Sequence, residues 1–122
     1  MNQELRPGPP RCRVVAGGTI TTYQVAGRGD VVLVLTPHDA VRHHLLAQLS
    51  STARVVAPDL PPPDKVDPMV WLSAFLEALG ITNVRILADP TYEPLARVVA
   101  LDDPDRVAEV MAIRGAGFGV ED

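Results

Sequence analysis

The chain has 122 residues, a formal net charge of −4 and an apolar content of 47%, values that are ordinary for one globular domain. An acidic chain gives no reason to expect nucleic acid or an anionic membrane as a partner. No apolar run approaches the roughly 18 residues of a membrane span, and the N-terminus lacks the apolar stretch of a secretion signal. The single cysteine, Cys12, excludes an internal disulfide and predicts a reducing, cytoplasmic compartment.

The first third of the chain predicts a hairpin followed by a buried strand. Residues 1–10 are polar and proline-rich and are expected to form a flexible tail. Arg11–Ala16 and Thr19–Val25 then flank a Gly-Gly pair, which is typical of a two-residue hairpin turn. Val31–Leu35 is a continuous run of valine and leucine, which indicates a strand that is buried on both faces.

Helices and strands alternate through the middle of the chain. Ala40–Ser50 is a predicted helix, because its apolar residues recur at three- and four-residue spacing. Ala53–Ala57 is a second short buried strand. Asp67 is a favoured N-cap and Gly80 a favoured C-terminal residue, so a helix is predicted over Pro68–Leu79.

The last third predicts a strand, a helix and a final strand. The strands are Val84–Ala88 and Ala108–Ile113. Asp89 and Pro90 favour a helix start as N-cap and first helical residue, but Pro94 would suit a start about one turn later. The spacing of the apolar residues predicts the buried face of this helix as Leu95, Val98, Val99 and Leu101.

Strands that alternate with helices predict an α/β protein. The expected architecture is a mostly parallel sheet with flanking helices, preceded by the antiparallel hairpin. This domain is expected to span residues 11–114, between the flexible tail at 1–10 and a glycine-rich tail at 115–122.

The stretch Val84–Val107 resembles the α/β-hydrolase family, which carries Gly-x-Ser-x-Gly at a strand-to-helix turn. The helix after that turn typically ends in a Pro-acid-Arg-Val phrase, which Pro104–Val107 matches. Counting back without a gap puts Pro90 at the position of the serine nucleophile, and Ala88 and Tyr92 at the positions of the two glycines.

Two earlier phrases, Val31–Pro37 and Arg54–Leu60, occur in the same order as in the family. The resemblance implies half of an α/β-hydrolase fold without the family's chemistry. A nucleophile elbow needs a positive φ, which proline cannot adopt. Thr36-Pro37 stands where the family has a His-Gly oxyanion loop, and the chain ends before the strands that bear the acid and histidine of the triad.

Polar residues follow three of the predicted strands. In a doubly wound sheet, ligands bind at the carboxyl ends of the strands, so these residues are the expected ligand-binding group, and neither a catalytic residue nor a metal or cofactor is expected. The alternative is that they cap helices or face solvent. If an Asp–His pair came within hydrogen-bond reach, it would provide an acid and a base. The residues are Thr36, His38, Asp59, Asp89 and Thr91.

Two further alternatives concern single groups. Asp39, His43 and His44 lie together at the start of a predicted helix, where they would form a metal site or a solvated face. Haloalkane-dehalogenase-like relatives use aspartate as the nucleophile, but Asp89 would need a one-residue shift of register to match it.

The sequence therefore predicts a truncated, non-catalytic α/β-hydrolase-like domain that binds a small molecule or a protein partner. The alternatives are an enzyme whose repurposed site uses Asp89 and His38, and a purely structural subunit. A homodimer is expected through Ala108–Ile113, because a last strand without a neighbour leaves backbone groups unpaired. Glu109 is the only charged residue in that strand.

Overall fold

A computed structural model describes residues 11–62 and 64–113; the two predicted tails, 1–10 and 115–122, lie outside the described residues. The predicted order of elements is confirmed, and the predicted bounds agree to within one residue except at the start of the last helix. None of the described helices has the length and apolarity needed to cross a membrane. In chain order the elements are β1 (Arg11–Ala16), β2 (Thr19–Ala26), β3 (Val31–Leu35), α1 (Asp39–Leu49), β4 (Arg54–Pro58), α2 (Pro68–Leu79), β5 (Val84–Ala88), α3 (Glu93–Asp102) and β6 (Val107–Ala112).

The strands form one mixed sheet in the order β1-β2-β4-β3-β5-β6. Strands β1 and β2 are antiparallel, and β2 is antiparallel to β4. The remaining neighbours are parallel. Gly17 and Gly18 have φ values of 62° and 80°, as a two-residue turn of this kind requires at both central positions.

The core lies on both faces of the sheet. On one face, Trp71 and Phe75 of α2 stack with their ring centroids 5.2 Å apart and join α3 in the larger cluster. The indole Nε1 of Trp71 donates to the buried hydroxyl of Thr21 at 2.8 Å, which ties α2 to β2. On the other face, Leu45 and Leu46 of α1 pack in the smaller cluster.

Helix α2 begins and ends where its local chemistry predicts. The Asp67 carboxylate accepts a hydrogen bond from the backbone N–H of Met69 at 2.9 Å, and Pro68 needs no N–H partner at the first helical position. Gly80 ends the helix at φ 64°, in the left-handed region.

Helix α3 begins at Glu93, so the predicted cap at Asp89 and Pro90 is wrong and the later start is the one formed. The N–H groups of Tyr92 and Glu93 donate to the Asp89 carbonyl at 2.7 and 2.9 Å, which makes residues 90–92 a turn ahead of the helix. The reason is Pro94. A helix running from Pro90 would place that proline in its interior, where the N–H is missing and the ring clashes with the preceding turn.

The predicted buried face of α3 is also partly wrong. Val98 and Leu101 are 45% and 85% exposed, whereas Ala96 and Val99 are buried. Apolar side chains run most of the way around this helix, so their spacing permits more than one stripe. The small Ala96 side chain lies on the face that packs against the sheet.

Candidate functional site

The carboxyl ends of β3 and β5 bring His38 and Asp89 together. These strands are neighbours in the sheet, and the Nε2 of His38 lies 3.7 Å from the Oδ1 of Asp89. The His38 side chain is 66% exposed and the Asp89 side chain 16% exposed. The separation is an ion-pair distance, longer than the hydrogen bond that direct proton transfer needs.

Backbone contacts fix both residues of this pair. The hydroxyl of Thr36, which is fully buried, accepts from the backbone N–H of His38 at 3.2 Å. The Oδ2 of Asp89 accepts from the backbone N–H of Thr91 at 3.1 Å, and the Asp89 N–H donates to the Leu35 carbonyl at 2.8 Å. Thr36 and Thr91 therefore shape the two turns, and Asp89 has a structural partner as well as His38.

The turn at the nucleophile position is relaxed. Asn83, at φ 59°, is the only non-glycine residue with a positive φ within 11–62 and 64–113, so neither Asp89 nor Pro90 has the strained backbone of a nucleophile elbow. Pro90 carries no nucleophilic group and no N–H. The aspartate-nucleophile alternative therefore lacks the backbone geometry on which it depends.

Asp59 belongs to a second group of contacts, around Arg42 of α1. The Arg42 side chain is only 7% exposed. Its Nη2 lies 3.2 Å from the Oδ1 of Asp59 and also contacts Asp39, while its Nη1 donates to the Pro58 carbonyl at 3.2 Å. Arg11 reaches the other carboxylate oxygen of Asp59 at 3.5 Å. This chain of alternating charges joins β1, α1 and the end of β4.

A cleft of about 490 Å³ opens beside these charges, within the usual size range of small-molecule sites. Tyr92 connects the cleft to the His38–Asp89 pair. Burial raises the pKa of the Tyr92 phenol above its ordinary value, and the Asp89 carboxylate adds to this effect. The phenol is therefore a neutral donor at physiological pH. The lining residues are Arg11, Pro37, Asp39, Arg42, Asp59, Leu60, Pro61, Pro62 and Tyr92.

Arg42 and Tyr92 are site residues that the sequence reasoning missed. The sequence does contain a pattern that points to Arg42: it stands three, four and seven residues before Leu45, Leu46 and Leu49, which places it on the apolar face of the helix. A charge on such a face must find partners in the fold. No sequence pattern points to Tyr92, since its place in the cleft depends on where α3 begins.

The structure does not bring together the ligands of the alternative metal site. Asp39 contacts Arg42, and His43 and His44 lie on the exposed face of α1. Across the described part of the chain, no group of three or more His, Cys, Asp and Glu side chains is placed to hold one ion.

Neither a family profile nor a curated protein sequence matches the chain. Solved structures do match it. The haloalkane dehalogenase DatA of Agrobacterium tumefaciens C58 has a TM-score of 0.75 at 21% identity, over 86% of this chain and 40% of its own. The epoxide hydrolase VrEH1 of Vigna radiata has a TM-score of 0.73 at 22% identity, over 84% of this chain and 39% of its own. A mutant of DBJA has a TM-score of 0.70 at 26% identity, over 86% of this chain and 42% of its own.

These likenesses show that the chain has an α/β-hydrolase fold, as the sequence predicted. The chain spans about two fifths of the length of the structures that it matches.

Proposed function

We propose that this chain is a non-catalytic α/β-hydrolase-like domain whose cleft at the strand ends binds a small molecule. The observation that carries the proposal is the relaxed turn around Pro90. In the alignment of the Pro-acid-Arg-Val phrase, this residue takes the nucleophile position, and it supplies neither a nucleophile nor the strained geometry that would present one. The lone cysteine, Cys12, is compatible with the cytoplasmic location that we also propose.

Hydrolysis assays test the absence of catalysis. The purified chain is offered activated short-chain esters, epoxides and haloalkanes, the last two being the substrate classes named for the similar structures. The control is a His38→Gln, Asp89→Asn double variant, which removes both ionisable groups of the strand-end pair. We expect no turnover above that control and no labelling by a serine-directed phosphonate. Turnover that the double variant loses would overturn the proposal.

A second candidate function is an enzyme that uses the His38–Asp89 pair without a triad. It is favoured by one observation, the 3.7 Å approach of His38 Nε2 to the largely buried carboxylate of Asp89. A bound ligand that shortened this distance by roughly 1 Å would bring the pair into proton-transfer range. In that case turnover falls in the His38→Gln and Asp89→Asn single variants alike, and a fall in only one of them contradicts the pair mechanism.

We also propose that the chain is a homodimer through β6. Within the described residues, this strand lies at the end of the sheet and pairs with β5 alone. The N–H of Ile113 donates to the Ala88 carbonyl of β5. Because backbone groups alternate along a strand, those of Ala112 and Val110 point away from β5. Two copies related by a two-fold axis would pair these outward groups.

Ala112→Pro tests this dimer, with Ala112→Ser as the matched control. Proline removes only an outward N–H and puts its ring in the path of a second strand, and it is tolerated at a sheet edge. We expect light scattering to give a dimer mass for the wild-type chain and the serine variant and a monomer mass for the proline variant. A wild-type monomer at micromolar concentration contradicts the proposal, as does a dimer that the proline leaves intact.

A further inference from the structure

Arg42 is a buried cation whose set of partners is incomplete. Its side chain is more than nine-tenths buried and lines the cleft. The Nη1 and Nη2 groups have partners, but the Nε of Arg42 is buried and has no hydrogen-bond partner among the described residues. A buried donor without an acceptor is destabilising, so each such group in a native fold calls for an explanation.

The unpartnered Nε and the Nη2 form one edge of the guanidinium group. A carboxylate that approaches this edge accepts from both nitrogens at once, which is the geometry that arginine favours over single contacts. Asp39 and Asp59 both meet Arg42 at Nη2 through an Oδ1 oxygen. Both acids and Arg42 line the cleft.

Asp39 is the partner that a ligand can replace. Its side chain is 75% exposed, and its contact with Arg42 is made within one turn of α1, so water solvates the Asp39 carboxylate when it turns away from Arg42. With Asp39 turned outward, Arg11 and Arg42 face the single carboxylate of Asp59 and leave one positive charge uncompensated. The cleft then complements one negative charge.

We propose that the cleft binds a small carboxylate, which takes the place of Asp39 on the Nε–Nη2 edge of Arg42. Arg11 contributes the second positive charge, and the neutral phenol of Tyr92 lines the same space. The rest of the lining suits an apolar body attached to the carboxylate, since it consists of leucine and proline side chains. This inference rests on the proposed binding function and names the chemical class of the ligand.

Three probes of one shape test the ligand class: benzoate, the neutral benzamide and the cationic benzylamine. Each is titrated into the full chain while backbone amide resonances are followed by NMR. We expect benzoate to shift the amides of Asp39, Leu60 and Tyr92 and to bind at least about tenfold more tightly than benzamide.

Variants then test the proposed exchange on Arg42. Asp39→Asn removes the competing carboxylate, so benzoate should bind about two- to fivefold more tightly, the effect of losing one ion pair whose carboxylate is exposed. Asp102→Asn changes the net charge equally at the far end of α3 and should leave the affinity unchanged. Arg42→Lys keeps the positive charge but loses the paired Nε and Nη2 donors, so it should weaken the binding of benzoate. If that variant fails to fold, the Asp39→Asn result still decides.

Failure of this inference is distinct from failure of the binding function. The carboxylate site is overturned if benzamide binds as tightly as benzoate, or if benzoate does not bind at about 10 mM. An unchanged affinity in Asp39→Asn does the same. If benzylamine shifts the cleft amides and benzoate does not, the cleft still binds small molecules but the acid chemistry is wrong.

Discussion

Replacing Asp89 by alanine separates a structural role for this residue from a functional one. The Asp89 side chain accepts from the Thr91 N–H at 3.1 Å and lies 3.7 Å from His38. Its main-chain carbonyl separately accepts from Tyr92 and Glu93, and the substitution leaves those two bonds in place. Only the two side-chain interactions are lost.

The loss of stability follows from these two interactions. A side-chain acceptor for a backbone N–H ahead of a helix contributes about 0.5–2 kcal/mol. The contact with the exposed His38, which is an ion pair only when the imidazole is protonated, adds no more than about 1 kcal/mol, because solvent screens it. Asp89→Ala should therefore lower the free energy of unfolding by about 1–2 kcal/mol. Asp89→Asn keeps an acceptor for Thr91 and should lose less than about 1 kcal/mol.

Urea unfolding measures this difference directly. The chain has one tryptophan, Trp71, and it is buried, so its fluorescence reports the global transition. Asp89→Asn serves as the matched control, and it should also lower the pKa of Tyr92, since the Asp89 carboxylate contributes to raising that pKa. If Asp89→Ala leaves stability unchanged and abolishes ligand binding or turnover, the structural assignment of Asp89 is refuted.

Three further predictions concern the fold. Gly27→Ala should cost at least about 2 kcal/mol, because Gly27 has φ 88° and a Cβ there would collide with backbone carbonyl oxygens; unchanged urea unfolding would contradict this. Thr21→Val strands the buried indole N–H of Trp71 and should cost about 1–3 kcal/mol, whereas Thr21→Ser should recover most of that loss. Burial raises the pKa of both Tyr23 and Tyr92 above 10.0. Near-ultraviolet titration of the folded chain should therefore show ionisation above pH 10.0, and stability should fall as the pH rises through that range, since the unfolded chain loses these protons first.

Local chemistry made much of the fold predictable. Asp67, Pro68 and Gly80 each satisfy one end of α2 without help from distant residues. The valine and leucine run of β3 has one stable environment, the middle of a sheet covered on both sides. The alternation of such elements then leaves few topologies to consider.

Helix α3 was less predictable because its sequence offers two starts. Pro90 and Pro94 are both acceptable in a first turn, and only the later one avoids a proline in the helix interior. The buried face depends on how the helix then lies against the sheet, which the apolar spacing does not determine. Leu101 and Val98 point to solvent as a result.

The candidate site divides into two groups for a topological reason. His38 follows β3 and Asp89 follows β5, and because these strands are neighbours the two side chains meet. Asp59 follows β4, on the other side of β3, where Arg42 of α1 reaches it instead. Sequence order alone places all three residues at strand ends but leaves their pairing open.

Strand order also explains why a buried cation borders the cleft. Helix α1 connects β3 to β4, so the turn that carries Arg42 passes over the carboxyl end of β4 and presents the guanidinium to the Pro58 carbonyl and to Asp59. Those contacts occupy Nη1 and Nη2 and leave Nε without an acceptor. The cleft beside this unpartnered donor provides the space from which a ligand carboxylate would complete the set.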